Sequence, residues 1–167
     1  MADNKSSNVI FLDVDGVLNT KTTCVYAPSK MYKGVDDARV KILAESMKHS
    51  DVDGAVLTST WKTLREDDED YIYLVDKLKE YGIKLLGKTK EKMSRREEGI
   101  LDYLEANPEI QSFVIIDDQH YGFEDHCKLW DSYIDTQGRG IEHSIFASKT
   151  PTIPALLLLD SIAKFSK

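Results

Sequence analysis

The feature that most constrains this chain is an apolar run that ends on two acids. Val9 to Leu12 are all apolar, and Asp13-Val14-Asp15-Gly16 follows directly. A run that is apolar at every position predicts a strand buried on both faces, as in the middle of a parallel sheet. Ligands of open α/β sheets bind beyond the carboxyl ends of the strands. The two carboxylates are therefore expected at the mouth of a binding site.

Strand patterns and helix patterns alternate along the chain. Apolar runs predict strands at residues 9–13, 55–58, 83–86, 112–117 and 126–130. Periodic apolar positions with acidic first turns or terminal Gly and Pro predict helices at residues 36–49, 67–81, 94–106 and 151–166. Ser94 is expected to cap the third helix, with Glu97 at the capping-box distance. The alternation predicts an α/β fold, a Rossmann-like three-layer sandwich around a mainly parallel five-stranded sheet.

The length of 167 residues predicts a single domain. Residues 1–7 are polar and are expected to form a disordered tail ahead of one domain at residues 8–167. Residues 19–35 contain Pro28 and Gly34 and show no periodicity, so we expect a small flap over the end of the first strand.

Composition narrows the compartment and the partners. Cys24 and Cys127 are too few for a disulfide framework and predict reduced thiols, and no signal peptide is visible, so a cytoplasmic location is expected. The longest late apolar run, residues 153–159, is too short to span a bilayer, which predicts no membrane partner. The net charge of -7 does not favour nucleic acid as a partner, although it leaves room for a small basic pocket.

The polar ends of three predicted strands are expected to meet at one edge of the sheet. They supply Asp13 and Asp15, then Thr58, then Asp117 and Asp118. Four carboxylates this close repel one another unless a cation relieves them. Carboxylate oxygens suit Mg²⁺, which prefers one or two carboxylates together with water and substrate phosphate. The pattern therefore predicts a magnesium site at this edge.

The same four letters occur a second time, as Asp51-Val52-Asp53-Gly54. This copy follows Lys48-His49-Ser50 and precedes a predicted strand, so its acids are expected at the opposite edge of the sheet. We interpret it as a surface turn.

Taken in order, the strand-end motifs resemble those of the haloacid dehalogenase-like (HAD) superfamily of phosphohydrolases. The first motif is matched by Asp13-Val14-Asp15-Gly16, the second by Val56-Leu57-Thr58 and the fourth by Val114-Ile115-Ile116-Asp117-Asp118. HAD proteins often carry a large cap domain, and neither usual insertion point leaves room for one here. The resemblance thus implies a HAD-like fold with a minimal cap.

A narrower resemblance is to a small HAD subgroup of bacterial genomes, some of whose members are associated with RNA repair. It rests on residues 58–62, 96–104 and 113–118. Lys62 stands where Arg is usual in this subgroup, and Gly99 stands where an acid is expected.

The resemblance implies a role for each catalytic residue. Asp13 would be the nucleophile, and Asp15 the general acid and then the general base. Thr58 would bind a phosphoryl oxygen, with Ser59 or Thr60 as alternatives if the strand ends later.

The third motif of the family is a cation near the start of a later helix, and several residues compete for it. Arg96 is the first choice, ahead of Lys92, which would also bind substrate; the other candidates are Lys88, Lys90 and Arg95. Trp61 would either line the substrate site or pack in the core.

The metal ligands implied are Asp13, the backbone carbonyl of Asp15, Asp117 and Asp118, with Mg²⁺ as the cofactor. The expected function is a magnesium-dependent phosphomonoester phosphatase that acts through an aspartyl-phosphate. Its substrate would be a phosphorylated molecule, and a bulky one if the flap leaves the site open. The alternatives are a polynucleotide-end phosphatase and a non-catalytic HAD-fold module that binds metal or a partner.

Overall fold

The computed structural model describes residues 7–92 and 95–141, and strands alternate with helices throughout this part of the chain. The strands are β1 (Ser7–Leu12), β2 (Gly54–Leu57), β3 (Leu85–Lys88), β4 (Ile110–Asp117) and β5 (Tyr133–Asp135). The helices are α1 (Asp37–His49), α2 (Glu69–Glu80), α3 (Arg96–Ala106) and α4 (Cys127–Asp131). Short 3-10 turns occupy Thr60–Thr63 and Phe123–Asp125. No helix in the described ranges is long and apolar enough to cross a membrane.

The five strands form one parallel sheet in the order β3-β2-β1-β4-β5, which confirms the predicted fold class. β1 lies in the centre, where Leu12 pairs with Leu57 of β2 on one side and with Ile116 of β4 on the other. This register places the residues that follow Leu12, Leu57 and Ile116 side by side at the carboxyl edge of the sheet.

Helices cover both faces of the sheet and produce three layers. Alternate residues of β1 point to opposite faces, so Ile10 and Leu12 pack with residues of α1 and α2 in one apolar cluster. Val9 and Phe11 pack with Ile100 of α3 in a second cluster. Because β1 is buried on both faces, its sequence is apolar at each of these four positions.

The flap, residues 19–35, links β1 to α1 and is tied to α2. It contains no helix, and a single antiparallel bridge joins Tyr26 to Lys33. The backbone N–H of Ser29 donates to Asp70 Oδ1 at 2.9 Å, and the Ser29 hydroxyl donates to Asp70 Oδ2. The backbone N–H of Val35 donates to the Tyr73 hydroxyl at 3.2 Å. These contacts hold the flap beside the carboxyl edge of the sheet.

Several predicted boundaries are corrected. The strand expected at residues 126–130 is wrong, because these residues begin α4 and the fifth strand is Tyr133–Asp135. The third strand lies two residues later than expected, because Ile83 N–H donates to Leu78 O and closes α2 before the strand starts. β1 begins at Ser7, inside the range expected as a tail.

Other expectations fall where the structure gives less detail. Helix α3 begins at Arg96 with Arg95 at its N-cap, and the expected cap Ser94 lies outside the described residues. Residues 1–6 and the helix predicted at 151–166 also lie outside them. The second Asp-Val-Asp-Gly copy precedes β2 in an exposed turn at Asp51, at the edge opposite Asp13, as predicted.

Candidate active site

Three carboxylates from two neighbouring strands meet at the carboxyl edge of the sheet. Asp13 follows β1, Asp117 ends β4 and Asp118 follows it. One oxygen from each carboxylate lies within 4.8 Å of the other two. Asp13 and Asp118 line an open cavity of about 360 Å³, and Asp117 is fully buried. The register of β1 with β4 therefore gathers the acids that the sequence predicts to lie together.

Arg96 is the cation at the centre of this cluster. Its Nη1 donates to Asp13 Oδ1 at 2.8 Å and also to Asp117 Oδ2. The ring of Tyr121 lies against the guanidinium group, with 4.0 Å between Arg96 Cζ and the ring centroid. Arg96 occupies the first position of α3, where the helix dipole disfavours a cation, so the two carboxylates account for its placement.

Burial and mutual repulsion perturb the ionisation of these groups. Burial raises the pKa of Asp13 to about 8, with repulsion from Asp117 adding to it and Arg96 opposing it. Burial also raises the pKa of Asp117 to about 6, again against the effect of Arg96. Burial alone would lower the pKa of Arg96, but attraction to Asp117 and Asp13 outweighs it and raises that pKa. The cluster thus has more negative charge than Arg96 offsets.

The carboxylate of Asp15 lines the same cavity but is held apart from the other acids. Trp61 Nε1–H donates to its Oδ2 at 3.1 Å, and Asn19 Nδ2–H donates to its Oδ1 at 2.9 Å. Asn19 is fixed in turn, since its Oδ1 accepts from the backbone N–H of Gly16 at 3.2 Å. The two acids of the first motif therefore have different surroundings: Asp13 faces a cation and other acids, and Asp15 faces two neutral donors.

The hydroxyl groups after β2 lie next to Asp13. Thr58 N–H donates to Leu12 O at 2.9 Å, which places Thr58 beside the residue that follows Leu12. The hydroxyls of Thr58 and Ser59 are buried and find no hydrogen-bond partner among the residues that the structure describes. Thr60 lines the cavity itself. The two unpaired hydroxyls follow directly after β2, which ends at Leu57.

Two lysines near the site differ in what they contact. Lys62 is buried, and its Nζ lies 3.5 Å from Glu91 Oε2. Burial lowers the pKa of Lys62, partly against the attraction of Glu91. Lys92 instead forms an ion pair with Asp102 at 2.6 Å, so the structure brings Arg96 and not Lys92 to Asp13.

Gly16 makes the close approach of two motifs possible. Its φ of +85° is in the left-handed region, which favours glycine. A Cβ built on Gly16 would lie 2.4 Å from Asp118 Oδ2. The backbone carbonyl of Gly16 also accepts from Thr136 Oγ1 at 2.8 Å. The turn after β1 therefore packs directly against the acids after β4 and the end of β5.

The residues present fit a bound magnesium ion. Asp13, Asp117 and Asp118 offer hard oxygen ligands close enough to share one cation, and burial of two of them makes their repulsion costly. The side chain of Asp15 is outside this group because Trp61 and Asn19 hold it.

Comparison with family models matches residues 9–143 to the HAD domain of Swiss Army Knife RNA repair proteins. The chain belongs to this family. The match covers most of the chain and includes all the strand-end motifs and Arg96. A comparison with curated proteins finds no significant match.

Two solved structures resemble this HAD domain at 14% sequence identity. A Legionella pneumophila protein assigned as a HAD superfamily (subfamily III A) hydrolase aligns with a TM-score of 0.47, over 98% of this chain and 85% of its own. A Vibrio cholerae protein assigned as a 3-deoxy-D-manno-octulosonate 8-phosphate phosphatase aligns with a TM-score of 0.48, over 98% of this chain and 87% of its own.

Sequence reasoning missed several residues that shape the site of this HAD domain. Asn19 and Tyr121 come from segments without periodicity, and Thr136 follows a strand that was expected elsewhere. For Trp61 the sequence left two places open, the substrate site and the core; its side chain is fully buried, and its N–H donates to Asp15. The signal for Trp61 was its place within residues 58–62, the segment that resembles the RNA-repair subgroup.

Proposed function

We propose that this HAD domain is a magnesium-dependent phosphomonoester phosphatase in which Asp13 forms an aspartyl-phosphate. The observation that carries the proposal is the cluster of Asp13, Asp117 and Asp118 around Arg96, at the mouth of an open cavity. A carboxylate nucleophile beside a fixed cation, with vacant hydroxyl donors next to it, suits attack on a phosphoryl group.

In the first step an Asp13 carboxylate oxygen attacks phosphorus in line, and the bond from phosphorus to the leaving oxygen breaks. Asp15 gives its proton to that leaving oxygen, so an alcohol departs. The hydroxyls of Thr58 and Ser59 donate to the phosphoryl oxygens, and Arg96 offsets the charge on Asp13 and on the phosphoryl group.

In the second step Asp15, now a carboxylate, takes a proton from water as the water oxygen attacks phosphorus. The bond from phosphorus to Asp13 breaks, inorganic phosphate forms and Asp13 returns as a carboxylate. When bound by Asp13, Asp117, Asp118 and the Asp15 carbonyl, Mg²⁺ supplies positive charge that offsets the charge of the phosphoryl oxygens.

The test is hydrolysis of an aryl phosphate such as p-nitrophenyl phosphate with Mg²⁺ by the full chain and by Asp13→Asn. We expect kcat to fall by at least about 10³-fold, because the nucleophile is lost. Asp51→Asn is the matched control, since it alters the first acid of the second Asp-Val-Asp-Gly copy, and it should keep full activity. Acid quenching of the wild-type reaction should leave phosphate on the Asp13 peptide. Full activity of Asp13→Asn would refute the proposal.

A second candidate, a polynucleotide-end phosphatase, is favoured by cations at the cavity mouth. Lys21 and Lys33 of the flap line the same cavity as Asp13, despite the net charge of -7. The flap also exposes Tyr26 and Met31, which are 55% and 85% exposed. Basic and aromatic side chains together suit the backbone and bases of a single strand. The family description, which names RNA repair proteins, points the same way.

Changing both flap lysines to alanine distinguishes the two candidates. For an end-phosphorylated oligonucleotide we expect the double variant to lower kcat/KM by about tenfold or more at low salt and to weaken the salt dependence. Hydrolysis of p-nitrophenyl phosphate should change much less, because that substrate lacks the polynucleotide backbone that the two lysines would bind. Equal effects on both substrates would reject the polynucleotide reading. Binding of Mg²⁺ without turnover of any phosphate ester would favour the non-catalytic module.

A further inference from the structure

We propose that Trp61 is a positioning residue that holds the carboxyl group of Asp15 at the leaving oxygen of the substrate. The inference rests on the proposed phosphatase function and concerns its proton-transfer step. Trp61 does not touch the substrate in this account. It acts through Asp15, and its contribution depends on the indole N–H and not on the bulk of the ring.

The contacts of Asp15 fix both ends of its carboxyl group. Trp61 Nε1–H donates to Oδ2 at 3.1 Å, and Asn19 Nδ2–H donates to Oδ1 at 2.9 Å. Two donors on different oxygens set the plane of the group, while each oxygen keeps a lone pair for the cavity side. Donors on both oxygens leave the carboxyl group no free rotation about its bond to Cβ.

Trp61 is itself held in place by packing, so its N–H can fix the orientation of the Asp15 carboxyl group. Its side chain is fully buried, and its ring packs on Tyr32 of the flap with centroids 4.7 Å apart. It belongs to the 3-10 turn Thr60–Thr63, directly after the hydroxyls of Thr58 and Ser59. One short segment thus supplies the phosphoryl-binding hydroxyls and the donor that orients the acid.

The flap contributes to the same arrangement from the other side. Asn19 starts the flap, and its Nδ2 also reaches the backbone carbonyl of Lys33 at 3.3 Å. Tyr32 packs on the Trp61 ring. Both donors to Asp15 therefore rest on flap residues, which gives the flap a role in placing the acid as well as in bordering the cavity.

Proton donation matters in proportion to the basicity of the leaving group. A p-nitrophenolate departs as a stable anion and needs little help, whereas an alkoxide from an alkyl phosphate needs a proton as the bond breaks. The quantity to compare is kcat/KM, which covers only the steps up to release of the leaving group. The later hydrolysis of the aspartyl-phosphate is the same step for both substrates and does not affect kcat/KM.

The experiment compares kcat/KM for p-nitrophenyl phosphate and for an alkyl phosphate such as glycerol 2-phosphate. The first variant is Trp61→Phe. The second replaces Trp61 with 3-benzothienylalanine, which keeps the ring shape and lacks the N–H. Asp15→Asn gives the pattern for a lost acid, and Trp130→Phe is the matched tryptophan control.

We expect both Trp61 variants to lower kcat/KM by about tenfold or more for the alkyl ester and by less than about threefold for the aryl ester, within the range that general acid catalysis supplies. Equal losses on the two esters, or a wild-type ratio in the benzothienyl protein, would overturn the inference. If Asp13→Asn kept activity, the proposed function itself would fail, which is a separate outcome.

A readout without turnover comes from NMR. The chain contains two tryptophans, so its spectrum holds two indole N–H signals, which Trp130→Phe assigns. Asp15→Ala should move the Trp61 signal upfield and speed its exchange with solvent, because the acceptor of the indole N–H is gone. An unchanged Trp61 signal would contradict the hydrogen bond and the inference with it.

Discussion

At the scale of single residues, Arg96 offsets part of the negative charge of the site. Asp13 and Asp117 are both buried, and Arg96 donates to each of them. Removing one partner of a buried ionic group leaves an uncompensated charge, which costs far more than the intact pair contributes. An Arg that bridges two acids is therefore expected to support both folding and chemistry.

Arg96→Met should destabilise the metal-free protein by about 3 kcal/mol, because two buried carboxylates lose their shared cation. The loss should shrink when Mg²⁺ is added, since the ion offsets the same charge. Unfolding in urea with and without MgCl₂ measures both effects. Lys92→Met is the control and should leave stability unchanged, because its ion pair with Asp102 is solvent-exposed. Equal losses in the two variants would argue against a special role for Arg96.

Gly16→Ala should weaken Mg²⁺ binding through a steric effect on Asp118. The new Cβ would lie 2.4 Å from Asp118 Oδ2, so that carboxylate has to move. Gly82→Ala is the matched control, since Gly82 has a similar φ of +78° and open space around it. Both variants should lose about 1 kcal/mol of stability from the left-handed backbone. Calorimetric titration with Mg²⁺ should show weaker binding for Gly16→Ala alone.

The acids of the site were predictable from the sequence and several of its supporting residues were not. Asp13, Thr58 and Asp117 follow buried strands, and the parallel register then brings strand ends together. Tyr121 lies in a loop at a φ of +45°, which no propensity favours for tyrosine. Its place against Arg96 follows from tertiary packing, which local sequence does not encode.

At the scale of elements, hydrogen bonds attach the flap to α2 beside the site. Asp70 is 2% exposed and accepts two hydrogen bonds from Ser29, while Tyr73 accepts one from Val35. The flap is thus attached at two places along one helix. These contacts fix the position of the flap, whose Lys21 and Lys33 line the cavity.

Asp70→Ala should loosen the flap without unfolding the domain. The change removes the two hydrogen bonds that join the exposed Ser29 to Asp70, at a cost of about 1–3 kcal/mol. Limited trypsin digestion should cut faster at flap lysines such as Lys30. Glu69→Ala, an exposed neighbour on α2, should digest like wild type. Unchanged cleavage in Asp70→Ala would show that other contacts hold the flap.

Element types were predictable where patterns were long, and failed where elements were short. The strand β1 is recognised by its unbroken apolar run, and the helices α1 and α2 by their helical periodicity. The expected and observed ranges of these elements overlap well. The segment at 126–130 mixes His126 and Lys128 with apolar residues, and most of it belongs to α4, a helix of five residues. So short a helix depends on its packing, with Leu129 fully buried in the second cluster.

At the scale of the whole molecule, the strand order places the candidate site at the middle of the carboxyl edge of the sheet. The site residues follow β2, β1 and β4, which are consecutive neighbours in the order β3-β2-β1-β4-β5. The connections that follow β1 and β4 run in opposite directions, to β2 and to β5, and a crevice opens in α/β sheets at such a point. A cation bound there would contact residues that are about 100 positions apart in the chain, Asp13 and Asp117 among them.

Mg²⁺ should therefore raise the Tm of the whole domain. Binding to the folded state alone adds about 2.7 kcal/mol at one hundred times Kd. EDTA should reverse the shift, and NaCl at equal ionic strength should not reproduce it. Asp117→Asn should lose most of the Mg²⁺-dependent shift, whatever its own Tm. A shift of wild-type size in that variant would place the ion elsewhere.

The central position of β1 also determines at what stage of unfolding Asp13, the proposed nucleophile, loses its position. Phe11 and Leu12 are fully buried and have a parallel neighbour on either side. Local fluctuations open the edges and loops of a domain first, and amides in a central strand exchange only when the whole structure opens. The carboxylate of Asp13 is thus attached to the part of the molecule that opens last, so partial fraying at β3, β5 or the flap would leave the geometry of the attacking group intact.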